Sequence, residues 1–217
     1  MRPQLWIDFE TGGIDTYTSS PLSCAMLAVR DGEIVGQWYE QIRQEPFVVT
    51  QEAMEINKLN LQDPGLDFAA FKKSYYEFIN RHFYGGTDWG NCGKGYYPSK
   101  IKACKANMPL FCGHNTFFDR AVLQQCLGGT PTKSVYDGIY YHRLDTMVLA
   151  NMLQDVGIVI AGKNLKLETI CTSLGVEPEQ GEFHNALTDI KMTFKAYQKM
   201  KLIIKGSKQY EHGEVSA

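Results

Sequence analysis

The sequence predicts an α/β fold: a mixed five-stranded sheet flanked by helices. Three observations predict it. Early segments alternate apolar and polar residues with the period of a strand. Later segments repeat their apolar residues with the period of a helix, with a short apolar run between them. The 217 residues, 44% apolar and 12% aromatic, suit one compact domain with a sizeable insertion and a substantial core.

Residues 4–10 alternate through Leu5, Trp6, Ile7, Asp8, Phe9 and Glu10, and Thr11-Gly12-Gly13 ends the strand. Strands are expected at 22–30 and 33–43, joined by Asp31-Gly32, a hairpin-turn dipeptide, so the chain opens as an antiparallel meander. A short helix follows at 51–58. Phe68, Phe71, Tyr75, Phe78 and Ile79 mark a second at 67–83. The stretch 84–107 is rich in glycine, aromatics and lysine, has little periodicity, and reads as an excursion from the core. A buried strand is expected at 108–113. Helices follow at 116–127, 145–155, 164–174 (closed by Gly175) and about 185–204. One domain thus spans 1–205, and 206–217 is a tail.

Charge and composition narrow the function classes. Net charge is −2, so no whole-protein basic field exists to grip duplex DNA; binding to nucleic acid needs a local patch or bound cations. No stretch approaches the ~18 apolar residues of a membrane span, and the start does not read as a signal peptide, so a soluble cytoplasmic protein is expected. Cysteines 24, 92, 104, 112, 126 and 171 form no C-x-x-C pair and read as reduced thiols.

The carboxylates carry the chemistry. Asp8 and Glu10, two apart on a strand, face the same way, and their repulsion is costly unless a cation or protons lie between them. Screening by water at a sheet edge is the plainer explanation. Asp119 follows Thr116 by three, which also suits an N-cap and its acidic partner. Asp189 follows Asn185, a natural N-cap, with His184 just before it. Each residue has a structural explanation when taken singly.

Together the residues resemble the histidine branch of the DEDD 3′→5′ exonucleases, DnaQ-like members of the RNase H-like superfamily. The first motif resembles Asp8-Phe9-Glu10-Thr11-Gly12-Gly13, the second His114-Asn115-Thr116-Phe117-Phe118-Asp119, and the third His184-Asn185-Ala186-Leu187-Thr188-Asp189. Leu144-Asp145-Thr146 and the segment from Leu165 to Gly175 are similar to lesser landmarks. The resemblance covers about residues 4–200. It departs at Asn185, where the family commonly has a basic residue, and at 84–107.

The resemblance implies a phosphodiester hydrolase with two Mg²⁺ or Mn²⁺ ions about 4 Å apart. It implies that Asp8 bridges them, that Glu10 and Asp189 complete the site of the attacking water, and that Asp119 supports the second ion. His184 takes the water's proton. Thr11 and Gly12 would lie near the terminal 3′-hydroxyl. Phe9, Phe117 and Phe118 are candidates to stack the terminal base, although core packing explains Phe9 as well. Met54, Asn57 and Asn115 are further substrate candidates. The expected substrate is a single-stranded 3′ end, DNA preferred, in a repair or proofreading role. An exoribonuclease or oligoribonuclease-like enzyme is the alternative, and a non-catalytic nucleic-acid-binding module a weaker one. A homodimer and a polymerase or repair partner both stay open.

Other features carry less. Cys92, Cys104 and Cys112 with His82 or His114 match no zinc spacing. Trp89, Tyr96 and Tyr97 interleave with lysines 94, 100, 102 and 105, as in either a nucleic-acid grip or a solvated loop. Lys191, Lys195 and Lys199 form one helical stripe, read first as a solvated face and second as a phosphate track.

Overall fold

The computed structural model describes residues 1–85, 107–130, 132–133, 135, 137–158, 164–178 and 184–207. It confirms the α/β class. The strands are β1 (Gln4–Thr11), β2 (Pro21–Arg30), β3 (Glu33–Gln41), β4 (Leu110–Gly113) and β5 (Tyr140–Asp145). The described helices are α1 (Gln51–Asn57), α2 (Phe68–Phe83), α3 (Thr116–Cys126), α4 (Thr146–Asp155), α5 (Leu167–Ser173) and α6 (Ala186–Ser207). One sheet has the order β3-β2-β1-β4-β5. The first three strands pair antiparallel, while β4 runs parallel to β1, and β5 parallel to β4.

The meander forms as expected. Asp31 and Gly32 both take positive φ, 51° and 93°, which matches the right-handed twist of the strands they join. The fifth strand is a correction in placement, because β5, YYHRLD, was not located from sequence. It is an edge strand, and from Tyr141 to Arg143 it is exposed, so burial imposes no alternation on it.

Strand alternation sorts the core into two layers. Leu5, Ile7 and Phe9 face α2 and α3 in one cluster with Met26, Phe71, Tyr75, Ile79, Phe111 and Leu123. Trp6, Ala25, Leu27 and Cys112 face α6 through Ala186, Ile190 and Phe194, with Trp6 edge-on to Phe194 at 5.4 Å. Burying each such large side chain contributes about 1.5–3 kcal/mol. A third cluster joins α4, α5 and α6 through Ala150, Ile170 and Met192. Helix α2 starts where Asp67 accepts the Ala70 N–H at 2.7 Å.

Cys24, Cys112, Cys126 and Cys171 are buried free thiols. Cys92, Cys104 and the aromatic-lysine stretch lie outside the described residues, as does most of the 206–217 tail. No helix among the described residues is long and apolar enough to cross a membrane.

Candidate active site

Strand β1 supplies the first two carboxylates. Asp8 and Glu10 share the face of Trp6, while Phe9 turns into the core beside Phe71, ring centroids 6.0 Å apart. Pairing of β1 with β4 ends at Trp6↔Cys112. Both acids therefore stand beyond the carboxyl end of a parallel pair, where sheets of this kind bind ligands.

Asp119 arrives from the other side of that pair. Strand β4 closes tightly on β1 at Gly113, where an added Cβ would lie 3.0 Å from the Ile7 carbonyl. Asn115 then takes a left-handed φ of 60° and α3 begins. In its first turn Asp119 is buried, and its Oδ1 accepts the Phe9 N–H at 3.0 Å, tying α3 to β1.

The expected N-cap at Thr116 is corrected. Asn115 is the cap residue, without a side-chain cap bond, and Thr116 is the first helical residue. The capping acceptor comes from thirty residues away. Oδ2 of Asp145 accepts the Thr116 N–H at 2.7 Å and its hydroxyl at 2.9 Å, while Oδ1 accepts the Asn115 N–H at 3.1 Å. Oδ1 also accepts the Met147 N–H at 2.9 Å, so one carboxylate caps both α3 and α4. Sequence reasoning noted Asp145 only as a landmark. The signal available was its position as a candidate N-cap before a helical run.

Helix α6 contributes the last acid. Asn185 Oδ1 accepts the N–H groups of Leu187 and Thr188, at 3.1 and 3.2 Å. Asp189 reaches back, and its Oδ2 accepts the His184 N–H at 3.0 Å. His184 is held at φ 74°, a conformation non-glycine residues rarely adopt. The second oxygen of Asp189, Oδ1, is buried with no hydrogen-bond partner.

These segments converge. One oxygen each from Asp8, Glu10 and Asp189 lies within 4.8 Å of the others. Burial first, and then the charges of Asp119, Asp189 and Glu10, push the Asp8 carboxyl well above the usual range. Burial and the Asp189 charge push Glu10 up to about 7. Burial raises Asp189 to about 6, against the pull of the His184 N–H. Asp119 is also raised by burial, against the pull of the Phe9 N–H. Packed together, the acids resist ionising. A hard divalent cation reverses that preference, and the orphaned Asp189 Oδ1 is an oxygen in need of one. An all-oxygen donor set suits Mg²⁺ or Mn²⁺.

Two clefts open from the acids. One, of about 570 Å³, is lined by Asp8, Asp119, Asp189, His184, His114 and Lys166 among others. The second, of about 490 Å³, lies towards Glu10, Thr11, Gly13, Ile14, Ile56 and Asn57. Phe9 and Phe118 line both. Asn115 lines the first cleft, whereas Phe117 is exposed.

Some expected substrate residues sit differently. Gly12 donates its N–H to the Ser20 carbonyl at 2.8 Å and accepts the Thr50 N–H at 2.6 Å. A Cβ there would lie 2.4 Å from the Val48 carbonyl, so the close approach that glycine permits is to the protein's own backbone. Thr11 lines the second cleft, and its carbonyl accepts from Asn57 Nδ2 at 3.2 Å. Met54 is not among the residues lining that cleft; Ala53 and Ile56, on the same helix as Asn57, are.

Neither a family model nor a curated protein matches the chain. Solved structures do. The fold is that of the exonuclease I structures. Exonuclease I from Methylocaldum szegediense is 19% identical with a TM-score of 0.66, covering 93% of this chain and 41% of that one. E. coli exonuclease I in complex with a dT13 oligonucleotide is 17% identical with a TM-score of 0.67, covering 97% and 43%. The zinc-bound form of the E. coli ExoI–ssDNA complex is 17% identical with a TM-score of 0.68, covering 97% and 42%. The chain thus spans about two fifths of the length of the structures it matches.

Proposed function

We propose that this chain is a metal-dependent 3′→5′ exonuclease, releasing nucleoside monophosphates from single-stranded 3′ ends, with DNA preferred. The observation that carries it is the convergence of Asp8, Glu10 and Asp189, with one buried Asp189 oxygen unpartnered. Carboxylates from two distant stretches, β1 and α6, are packed together here at an energetic cost that a bound cation would offset.

Asp8, Glu10 and Asp189 would hold the cations, with Asp119, whose charge acts on Asp8, supporting them. When bound, two Mg²⁺ or Mn²⁺ ions neutralise the phosphodiester and lower the pKa of the attacking water. His184, exposed and lining the first cleft, would accept the proton of the attacking water on a ring nitrogen. The bond to the 3′-oxygen of the preceding nucleotide breaks, leaving a free monophosphate and a shortened strand. Phe9 is packed in the core, so Phe118, half-buried and lining both clefts, is the aromatic against which a base of an unpaired end would stack. The single-stranded DNA bound in the E. coli exonuclease I structures supports the DNA preference.

The test is a 3′-labelled and a 5′-labelled oligonucleotide, as DNA and as RNA, with Mg²⁺, Mn²⁺ or EDTA. The 3′ label is expected to leave first, only with metal, and faster from DNA. Asp8→Ala should abolish release. Release in EDTA, or near-normal rates for Asp8→Ala, would contradict the metal assignment. Faster RNA turnover would reverse the sugar preference.

A further inference from the structure

Helix α5 begins with a residue that helix physics disfavours. Its N-cap is Lys166, which makes no side-chain cap hydrogen bond. Serine, threonine, aspartate or asparagine would satisfy an exposed N–H there, and a cation at the positive end of a helix is unfavourable. Asn164 partly compensates, its Oδ1 accepting the Lys166 N–H at 3.0 Å. A local rule broken on an otherwise ordinary helix points to a role outside folding.

Location supplies that role. Lys166 lines the first cleft together with Asp8, Asp119, His184 and Asp189, including the buried, unpartnered Asp189 Oδ1. Neither cleft is lined by another lysine or arginine among the described residues. Among the described residues no ion pair engages this ammonium. The chain carries a net charge of −2 and no whole-protein basic field, so among the described lining residues this ammonium is the local positive charge that a polyanion entering the cleft would meet.

We propose that Lys166 is a phosphate-binding residue that grips the backbone of a single-stranded nucleic acid beside the carboxylate cluster. The proposal rests on the exonuclease reading for the position of the strand, and on the lysine's own surroundings for the contact. The flexible stem brings a point charge to one phosphate, without regard to base. Lys166 is not a catalytic residue in this scheme, because it does not touch the reacting atoms.

The experiment compares wild type with Lys166→Ser, Lys166→Arg and Lys166→Glu. Binding of a fluorescent single-stranded DNA oligonucleotide is measured over a salt series with Ca²⁺ present, and thermal stability is measured alongside. Lys166→Ser restores a good N-cap, so the melting temperature should hold or rise while affinity falls on the order of threefold to tenfold. Its slope of log affinity against log salt should be shallower by about 0.7, the loss of one phosphate contact on a single strand. Lys166→Arg should restore both, and Lys166→Glu should bind weakest. In turnover assays KM should rise for Lys166→Ser with kcat nearly unchanged. An unchanged slope and affinity in Lys166→Ser would overturn the proposal even if the protein proves to be an exonuclease. Absence of nucleotide release by wild type, with the slope change still present, would instead sink the exonuclease reading and keep the phosphate contact.

Discussion

Replacing Glu10 with glutamine should stabilise the metal-free protein at alkaline pH. Glu10 sits beside Asp8 and Asp189, and its carboxyl is raised from 4.5 to about 7. For an acid, a raised folded value means the native state holds the proton more tightly than the unfolded chain. Its stabilising effect is therefore complete below about pH 4.5 and is lost as pH rises through about 7. The full shift is worth roughly 3 kcal/mol, and with a half-buried group sharing protons with its neighbours about 1–3 kcal/mol is expected in practice. Half-buried His82 and His114, both lowered by desolvation, contribute the opposite slope below about 6.5, but equally in both proteins, so the difference between them isolates Glu10. Urea unfolding in EDTA at pH 5 and pH 8 measures it. Glu10→Gln should be the more stable protein at pH 8 and close to wild type at pH 5, and adding Mn²⁺ should stabilise wild type more than the variant. A Glu10→Gln protein less stable than wild type at pH 8 without metal would refute the repulsive cluster.

Three further outcomes follow from named contacts. Asp145→Ala removes the acceptor shared by the starts of α3 and α4, and should lower unfolding free energy by about 2–4 kcal/mol in urea, with Mn²⁺ affinity falling as the first turn of α3, which carries Asp119, loosens. His184→Ala should slow turnover by a factor on the order of 10²–10⁴ while leaving Mn²⁺ affinity in calorimetry near wild type; equal loss of both would assign the histidine a structural role. Arg120→Ala leaves Asp137, 2.7 Å from it in the native protein, buried without its cation, and should cost about 3–5 kcal/mol by thermal unfolding, with no direct effect at the carboxylates.

Elements whose environment enforces a period were readable from sequence. Strands β1 to β3 and helix α2 fall within about two residues of expectation: the Asp31-Gly32 turn fixes where β2 ends and β3 begins, and α2 buries Phe71, Tyr75, Phe78 and Ile79 at helical spacing. Strand β5 escaped because an exposed edge imposes no pattern on YYHRLD. The Thr116 cap was misassigned because its acceptor, Asp145, lies thirty residues on, and local pattern cannot register a tertiary competitor. Met54 illustrates a finer limit: on the short helix α1, Ala53, Ile56 and Asn57 share the face towards the cleft, and the neighbouring position is rotated by about 100°. Gly12 was legible as a close approach but not in what it approaches, since Val48 comes from a segment without periodicity. The four acids and His184 could be singled out as residues; the partnerless oxygen of Asp189 and the misfit cap at Lys166 emerge only in three dimensions.

A crystal of the protein soaked in Mn²⁺ and measured at the manganese absorption edge addresses the carboxylate cluster most directly. Anomalous peaks are expected between Asp8, Glu10 and Asp189, one of them bonded to Asp189 Oδ1. Peaks only at surface positions, with that oxygen still unligated, would contradict it.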